Sequence, residues 1–138
     1  MSTCIFCDIV RGKIPSATIH TTPNTLAFLD IGPVRPGHAL VIPKGHHPTL
    51  WDLPPEIGVE LLEALQVVAD AVRRATKADG LNLMMNNYRA AGQLVDHAHF
   101  HLVPRHEGDG LRLWPQSAYS SPDAMQSMAT SIRTVLAG

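Results

Sequence analysis

The chain has 138 residues, a length typical of one domain with its own hydrophobic core. Its formal net charge of -1 argues against a surface that coats a nucleic-acid polymer. No apolar run reaches membrane-spanning length and no basic segment leads into an apolar signal core, so we expect a cytoplasmic protein without a membrane partner.

The first half of the chain predicts a short helix followed by three strands. Residues 8–14 should form the short helix or turn. Apolar and β-branched residues then predict strands over residues 18–22, 25–31 and 38–43. The last two strands should pair as an antiparallel hairpin, because glycine and proline turn residues lie between them.

The second half predicts a long helix, two further strands and a second helix. The long helix begins at residues 54–56 and ends near 77–80. Its apolar face repeats at helical spacing, with Ile57, Leu61, Leu65, Val68 and Val72. A strand over 81–86 and the histidine-rich stretch after it should form the centre of the sheet. Ser121 caps the C-terminal helix, and the whole pattern predicts an α+β fold.

The histidine-rich stretch, residues 96–105, predicts a functional site. Three histidines alternate there with apolar residues at the period of a strand. His97, His99 and His101 would share one face, about 6–7 Å apart from one to the next, while the intervening apolar residues point into a core. Packing alone does not select three imidazoles for one face, because each has polar nitrogens to satisfy.

The two cysteines form a separate candidate site at the N-terminus. Cys4 and Cys7 are spaced as a metal-ligand pair or a redox pair. A redox pair normally follows a strand, and none precedes these residues, so metal is favoured over a redox pair. Without the histidines elsewhere in the chain, two free thiols would be the favoured interpretation. Structural zinc needs four ligands, and His46, His47 and the histidine-rich stretch could supply the others.

The chemistry of the three histidines remains open on the residues alone. They could hold one catalytic zinc ion with an open coordination position, as in a hydrolase. Alternatively, a neutral imidazole could attack phosphorus and form a nucleotidyl-imidazole intermediate that water resolves. Amides just upstream, including Asn86 and Gln93, could hold the phosphate oxygens.

Four segments together resemble a known family. HAHFHLV resembles the histidine-triad motif, and CIFCDIVRGKIPS, LAFLDIGPVRPGHALVIPK and NNYRAAGQ resemble the matching blocks of the zinc-containing bacterial branch of the histidine-triad (HIT) superfamily. The likeness covers residue 4 to about residue 110 and is weaker after Leu111. It implies a single HIT domain over residues 1–138, with an antiparallel sheet of about five strands, one long helix and a C-terminal helix.

The resemblance also implies a role for each matching residue. His99 matches the nucleophile, and His101 matches the histidine that contacts the α-phosphate and assists the leaving group. Asn86 and Gln93 match amides on the phosphate side, and His38 matches a supporting histidine. The ribose and base residues are Asp30, Phe28 and Ile31. The zinc ligands are Cys4, Cys7, His46 and His97.

The implied activity is that of a nucleotide hydrolase or transferase. It would cleave at the α-phosphate of purine nucleotide conjugates, either dinucleoside polyphosphates or nucleoside phosphoramidates, through a nucleotidyl-histidine intermediate. The implied cofactor is structural zinc, besides a divalent cation that the substrate could carry in. The family resemblance further implies a homodimer joined through the long helix and a sheet edge.

Two residues depart from the family pattern. Leu94 stands where many relatives have a serine or threonine that binds phosphate or leaving group, and Tyr88 stands where a glycine is common. The loss of the hydroxyl favours an alternative function, a nucleotide-binding interaction module with little turnover.

Overall fold

The computed structural model describes residues 3–138 and confirms the predicted α+β architecture. The helices are α1 (Ile5–Val10), α2 (Gly58–Thr76) and α3 (Pro122–Ala137). The strands are β1 (Thr18–Thr21), β2 (Thr25–Leu29), β3 (Ala39–Pro43), β4 (Gly80–Met85) and β5 (Phe100–Arg105). Short 3-10 turns lie at Leu50–Asp52, Pro55–Ile57 and Arg89–Ala91.

The five strands form one antiparallel sheet in the order β1-β2-β3-β5-β4. The predicted hairpin of β2 and β3 is confirmed, with Phe28 opposite Leu40. The prediction that β4 and β5 form the sheet centre is wrong for β4, which pairs only with β5 and is an edge strand. The central strand is β3, whose residues are all buried because helices or loops cover both of its faces.

The sheet separates two hydrophobic clusters. On one face α2 packs its predicted apolar residues Leu61, Leu65, Val68 and Val72 against Val41 and Leu102 of the sheet. On the other face Phe6 of α1 packs with Leu26, Phe28, Leu40 and Ile42. Neighbouring residues of one strand therefore serve different clusters, as the alternation of side chains along a strand requires.

Two helix starts differ from the prediction. The first helix begins at Ile5 rather than at residue 8, because Cys4 is its N-cap and the Cys4 sulfur accepts the Cys7 N–H. The long helix begins at Gly58, since the prolines before it form a 3-10 turn over Pro55–Ile57. None of the described helices is long and apolar enough to cross a bilayer.

The C-terminal helix begins where the sequence predicts it. The Ser121 hydroxyl accepts the Ala124 N–H at 3.0 Å, and Pro122 occupies the first turn. None of the described residues of α3 is buried, and its apolar side chains Met125, Met128 and Ile132 are exposed. In the isolated chain α3 therefore has an uncovered apolar side.

The histidine-rich stretch is only partly a strand. The sheet ladder begins at Phe100, so His101 lies in β5, whereas His99 lies just before the ladder and His97 lies at a bend. There the Ala98 N–H donates to the carbonyl of His47, which is outside the sheet. Alternation holds from His99 to Leu102, because Phe100 and Leu102 pack in the cluster under α2 whereas His99 and His101 line a cavity. His97 is as fully buried as Ala98.

Candidate functional site

Four of the predicted metal ligands lie together at the N-terminal end of α1. The Cys4 sulfur is 3.4 Å from Nδ1 of His97, and the Cys7 sulfur is 3.3 Å from Nδ1 of His46 and 3.6 Å from Nδ1 of His97. All four ligand atoms are within 4.8 Å of one another. Zinc–sulfur and zinc–nitrogen bonds in a tetrahedron would separate sulfur from nitrogen by about 3.6 Å, so the donor set fits this metal.

The fold prepares His97 to be a ligand. Its ring is fully buried, and its Nε2–H donates to the Pro43 carbonyl at 2.8 Å, which leaves the lone pair of Nδ1 facing the sulfur atoms. Burial lowers the pKa of His97, which keeps the ring in the neutral form that binds metal. His47, the other candidate on the same loop, is outside the four-residue cluster.

A backbone carbonyl sets the tautomer of His99. The Nδ1 atom of His99 is 2.7 Å from the carbonyl oxygen of His97, and a carbonyl only accepts, so Nδ1 carries the proton. The other nitrogen, Nε2, is then left with a free lone pair. His99 thus has the form that a nucleophile requires, and its ring lines a large cavity.

A chain of hydrogen bonds sets the tautomer of His101 in the opposite sense. The Val34 N–H donates to Nδ1 of His38 at 3.0 Å, so His38 carries its proton on Nε2. That Nε2–H lies 2.9 Å from Nδ1 of His101 and donates to it. The Asp30 carboxylate, 3.6 Å from the same nitrogen of His38, favours this arrangement. His101 is consequently left with a proton on Nε2.

His101 stays neutral over the physiological pH range. Burial lowers the pKa of His101 to about 4, helped by repulsion from the neighbouring rings of His99 and His38, whereas Asp30 opposes the shift. Burial likewise lowers the pKa of His38. At neutral pH His101 therefore presents a neutral N–H donor to the cavity that His99 also lines.

The cavity beside these rings has a volume of about 840 Å³, in the range of small-molecule sites. Six of the predicted ligand-binding residues line it: Phe28, Asp30, Ile31, Asn86, His99 and His101. The rings of His99 and His101 and the amide of Asn86 are polar, whereas Phe28 and Leu40 are apolar. The cavity thus combines polar groups that suit a charged phosphate with apolar groups that suit an aromatic base.

Gln93 lies outside this cavity. Its side chain is buried, with Oε1 accepting the Tyr88 N–H at 2.7 Å and Nε2 donating to the Pro48 carbonyl at 2.5 Å. Both ends of the amide are therefore engaged with backbone, and the side chain closes the loop that carries Gly92. The predicted contact of Gln93 with phosphate stays a prediction, and His38 acts from behind His101 rather than from the cavity wall.

The two residues that depart from the family pattern lie in different surroundings. Leu94 lines the cavity and is exposed, and its aliphatic side chain has no group that could hydrogen-bond to a ligand. Tyr88 has φ of 69°, a backbone conformation that favours glycine, and its ring stacks on Trp51 at 5.3 Å. Tyr88 is outside the cavity lining, so its ring does not narrow the cavity.

Phe6, to which no sequence motif assigns a role, lies between the four-residue cluster and the cavity. The Phe6 ring makes edge-on contacts with His97 at 5.8 Å and with His99 at 5.1 Å. Ile5 and Ile9 of the same helix also line the cavity. The sequence signal for this role is the apolar pair Ile5 and Phe6 between the two cysteines.

The sequence matches the HIT domain family over residues 11–108, and the chain belongs to this family. It is 46% identical over 114 residues to adenosine 5'-monophosphoramidase HNT1 of Saccharomyces cerevisiae, covering 81% of this chain and 70% of the relative. It is 40% identical over 108 residues to adenylylsulfatase HINT3 of Arabidopsis thaliana, covering 78% of this chain but only 55% of the length of that relative.

Solved structures agree with the fold. A HIT family protein from Bacillus subtilis superposes with a TM-score of 0.89 at 38% identity, covering 96% of both chains. A zinc-bound histidine triad protein from Mycobacterium smegmatis superposes with a TM-score of 0.75 at 37% identity, covering 94% of this chain and 97% of the other.

Proposed function

We propose that this protein is a nucleotide hydrolase or transferase that cleaves at the α-phosphate of purine nucleotide conjugates. The observation that carries the proposal is the pair of opposite tautomers, in which a lone pair on His99 and an N–H on His101 share one cavity. Asp30 and Phe28 line the same cavity and are suited to the ribose hydroxyls and the base. The names of the phosphoramidase and adenylylsulfatase relatives support this substrate class.

The proposed reaction has two displacements at phosphorus. Nε2 of His99 attacks the α-phosphorus, and the leaving group departs with the electron pair of the broken bond, accepts a hydrogen bond from the His101 N–H and takes up a proton from solvent. Water then attacks the nucleotidyl-histidine and releases a proton to solvent, the phosphorus–nitrogen bond breaks, and its electron pair returns to Nε2. The products of a phosphoramidate are the amine and the nucleoside monophosphate, and those of a dinucleoside polyphosphate are two nucleotides.

The covalent step is tested by trapping the intermediate. Wild-type protein mixed with a labelled adenosine phosphoramidate and quenched in alkali should retain one adenylyl group per chain during turnover. The His99→Ala variant should retain none and should lack turnover. Normal turnover by this variant, shown to be folded by circular dichroism, would refute the role of His99.

The second candidate function is a nucleotide-binding module with little turnover, and Leu94 is the observation that favours it. Relatives with a hydroxyl at this position would gain a hydrogen bond that the exposed Leu94 side chain does not provide. Tight binding of AMP together with negligible release of amine from phosphoramidates would favour the module. Rapid release, with products identified for adenosine and guanosine conjugates, would favour the hydrolase.

We also propose that the four-residue cluster of Cys4, Cys7, His46 and His97 holds structural zinc. The metal would join the N-terminal segment to the segment that carries the nucleophile, and reduced thiols fit a cytoplasmic location. The Cys4→Ser, Cys7→Ser variant should lose zinc and melt at a lower temperature. Stoichiometric zinc in that variant, measured by elemental analysis, would contradict the ligand set. A divalent cation carried by the substrate would instead change turnover without changing this stoichiometry.

We propose that residues 1–138 form a single HIT domain that acts as a homodimer. Val59 and Leu62 are exposed on α2, and Leu83 is exposed on the free edge strand β4. A second copy would cover this apolar surface. Sedimentation should show a dimer that Leu62→Glu dissociates, whereas Ile19→Glu on β1, at the opposite sheet edge, should not.

A further inference from the structure

We infer that Phe6 is a positioning residue that couples the metal cluster to the nucleotide cavity, so that zinc and nucleotide strengthen each other's binding. The inference rests on the two sites proposed above and concerns their dependence on one another. Its structural basis is that α1 contributes to both sites: Cys4 and Cys7 belong to the cluster, whereas Ile5, Phe6 and Ile9 line the cavity.

The position of α1 depends on contacts at these two sites. The helix has six residues, Ile5–Val10, which is too short to be stable by itself in water. It belongs to no sheet ladder, and its buried residues are Phe6 and Cys7. Cys7 faces the imidazoles of the cluster, and Phe6 packs on Phe28 at 5.6 Å. Ile9 and Val10 pack against the same apolar cluster as Phe6, so contacts that belong to both sites hold the helix in place.

Phe6 contacts a proposed metal ligand and the proposed nucleophile with one ring. The ring planes of Phe6 and His97 meet at 79°, and those of Phe6 and His99 meet at 82°. Edge-to-face packing of this kind depends on the separation and the angle of the rings. A metal bound to the thiolates would fix the position of the Phe6 ring. The fixed ring would in turn keep His99 oriented toward the cavity.

The effect of bound nucleotide on zinc binding follows from thermodynamic linkage. A base bound beside Phe28 would press on the cavity-facing residues of α1 and hold the helix in place. The helix would then present Cys4 and Cys7 to the metal in a fixed position, so that zinc binding would cost less conformational entropy. Coupling between two ligands is reciprocal, and typical values change each affinity by about 5- to 150-fold.

The test is the rate at which zinc leaves the intact protein in the presence of a chelating dye, with and without saturating AMP. We expect AMP to slow zinc release about fivefold or more. Isothermal titration should show correspondingly weaker AMP binding after zinc removal wherever the metal-free protein stays folded. A zinc release rate that is unchanged at saturating AMP would overturn the inference.

Variants separate the Phe6 contact from overall stability. Phe6→Leu keeps an apolar side chain but lacks the ring, and it should bring the effect of AMP on zinc release close to onefold. Val72→Ala lies in the cluster under α2, away from α1, and should lower the melting temperature while retaining the AMP effect. An equal loss of the AMP effect in Val72→Ala would overturn the role of Phe6.

The measurements also distinguish this inference from the proposed function. Elemental analysis and AMP titration of the wild-type protein report zinc and nucleotide binding separately. Absence of either ligand would refute the proposed function and the coupling together. If zinc and AMP both bind, but neither changes the affinity for the other, the proposed function would stand and only the coupling would be refuted.

Discussion

Replacing His38 by alanine removes the donor that fixes the tautomer of His101. In the wild-type protein the Val34 N–H, His38 and His101 form a relay with distances of 3.0 and 2.9 Å. Without His38, Nδ1 of His101 loses its donor, and the proton of the ring is free to occupy either nitrogen. Molecules that carry it on Nδ1 present a lone pair instead of an N–H to the leaving group.

The size of the effect follows from the value of the lost hydrogen bond. His38 is buried, and its removal leaves the partly buried Nδ1 of His101 without its donor, at a cost of about 1–3 kcal/mol. Expressed entirely in the transition state, this cost lowers kcat by roughly 5- to 150-fold. KM should change little, because His38 is not part of the cavity lining.

The assay is steady-state release of amine from an adenosine phosphoramidate, with His38→Gln as the matched variant. An amide can accept from the Val34 N–H with its oxygen and donate to His101 with its nitrogen, so glutamine should restore much of kcat. An alanine variant with wild-type kcat, or a glutamine variant no better than alanine, would refute the tautomer argument.

Three further predictions follow from other contacts. Leu94→Ser should raise kcat for phosphoramidates about tenfold in stopped-flow turnover measurements, because a hydroxyl beside the phosphate adds a hydrogen bond to a charged group. An unchanged kcat would show that Leu94 does not limit turnover. Glu60→Gln should lower the melting temperature without changing kcat, because hydrogen bonds from Thr22 and Asn24 stabilise the Glu60 carboxylate and lower its pKa. The difference in melting temperature should be present above pH 4.5 and shrink below it, and a pH-independent difference would show that the charge of Glu60 is not responsible. His101 has a pKa of about 4 in the folded protein against 6.5 in the unfolded chain, so the free energy of unfolding should fall by at most about 3 kcal/mol as the pH drops from 6.5 to 4. Urea titrations should show a smaller fall in His101→Asn, and an equal fall in this variant would assign the effect to other groups.

Much of the fold could be predicted because local patterns agree with tertiary packing. The apolar repeat through Leu61, Leu65 and Val68 becomes the buried side of α2, and Ser121 becomes the cap of α3. The order of the strands was harder, because β4 looks as apolar as a central strand. Its edge position depends on pairing between strands that are distant in sequence, which periodicity does not report.

The sequence predicts which residues form the candidate site better than it predicts the contacts that those residues make. The cluster of Cys4, Cys7, His46 and His97 assembles as expected, because thiolates and imidazoles at these spacings have few other uses. The surroundings of Gln93 were not predicted. Its amide is satisfied by the carbonyl of Pro48 and the N–H of Tyr88, and neither partner can be inferred from a motif.

The different roles of the three histidines come from the backbone that surrounds them. His97 donates to the carbonyl of Pro43 and His99 donates to the carbonyl of His97, so the first points Nδ1 at the metal cluster and the second points Nε2 at the cavity. His101 lies in the ladder of β5, and its partner is the ring of His38 instead of a carbonyl. Because each ring has a different hydrogen-bond partner, three identical side chains two residues apart become the proposed metal ligand, a lone-pair donor and an N–H donor. A substitution that moved one carbonyl would therefore change the chemistry of the site without altering any histidine.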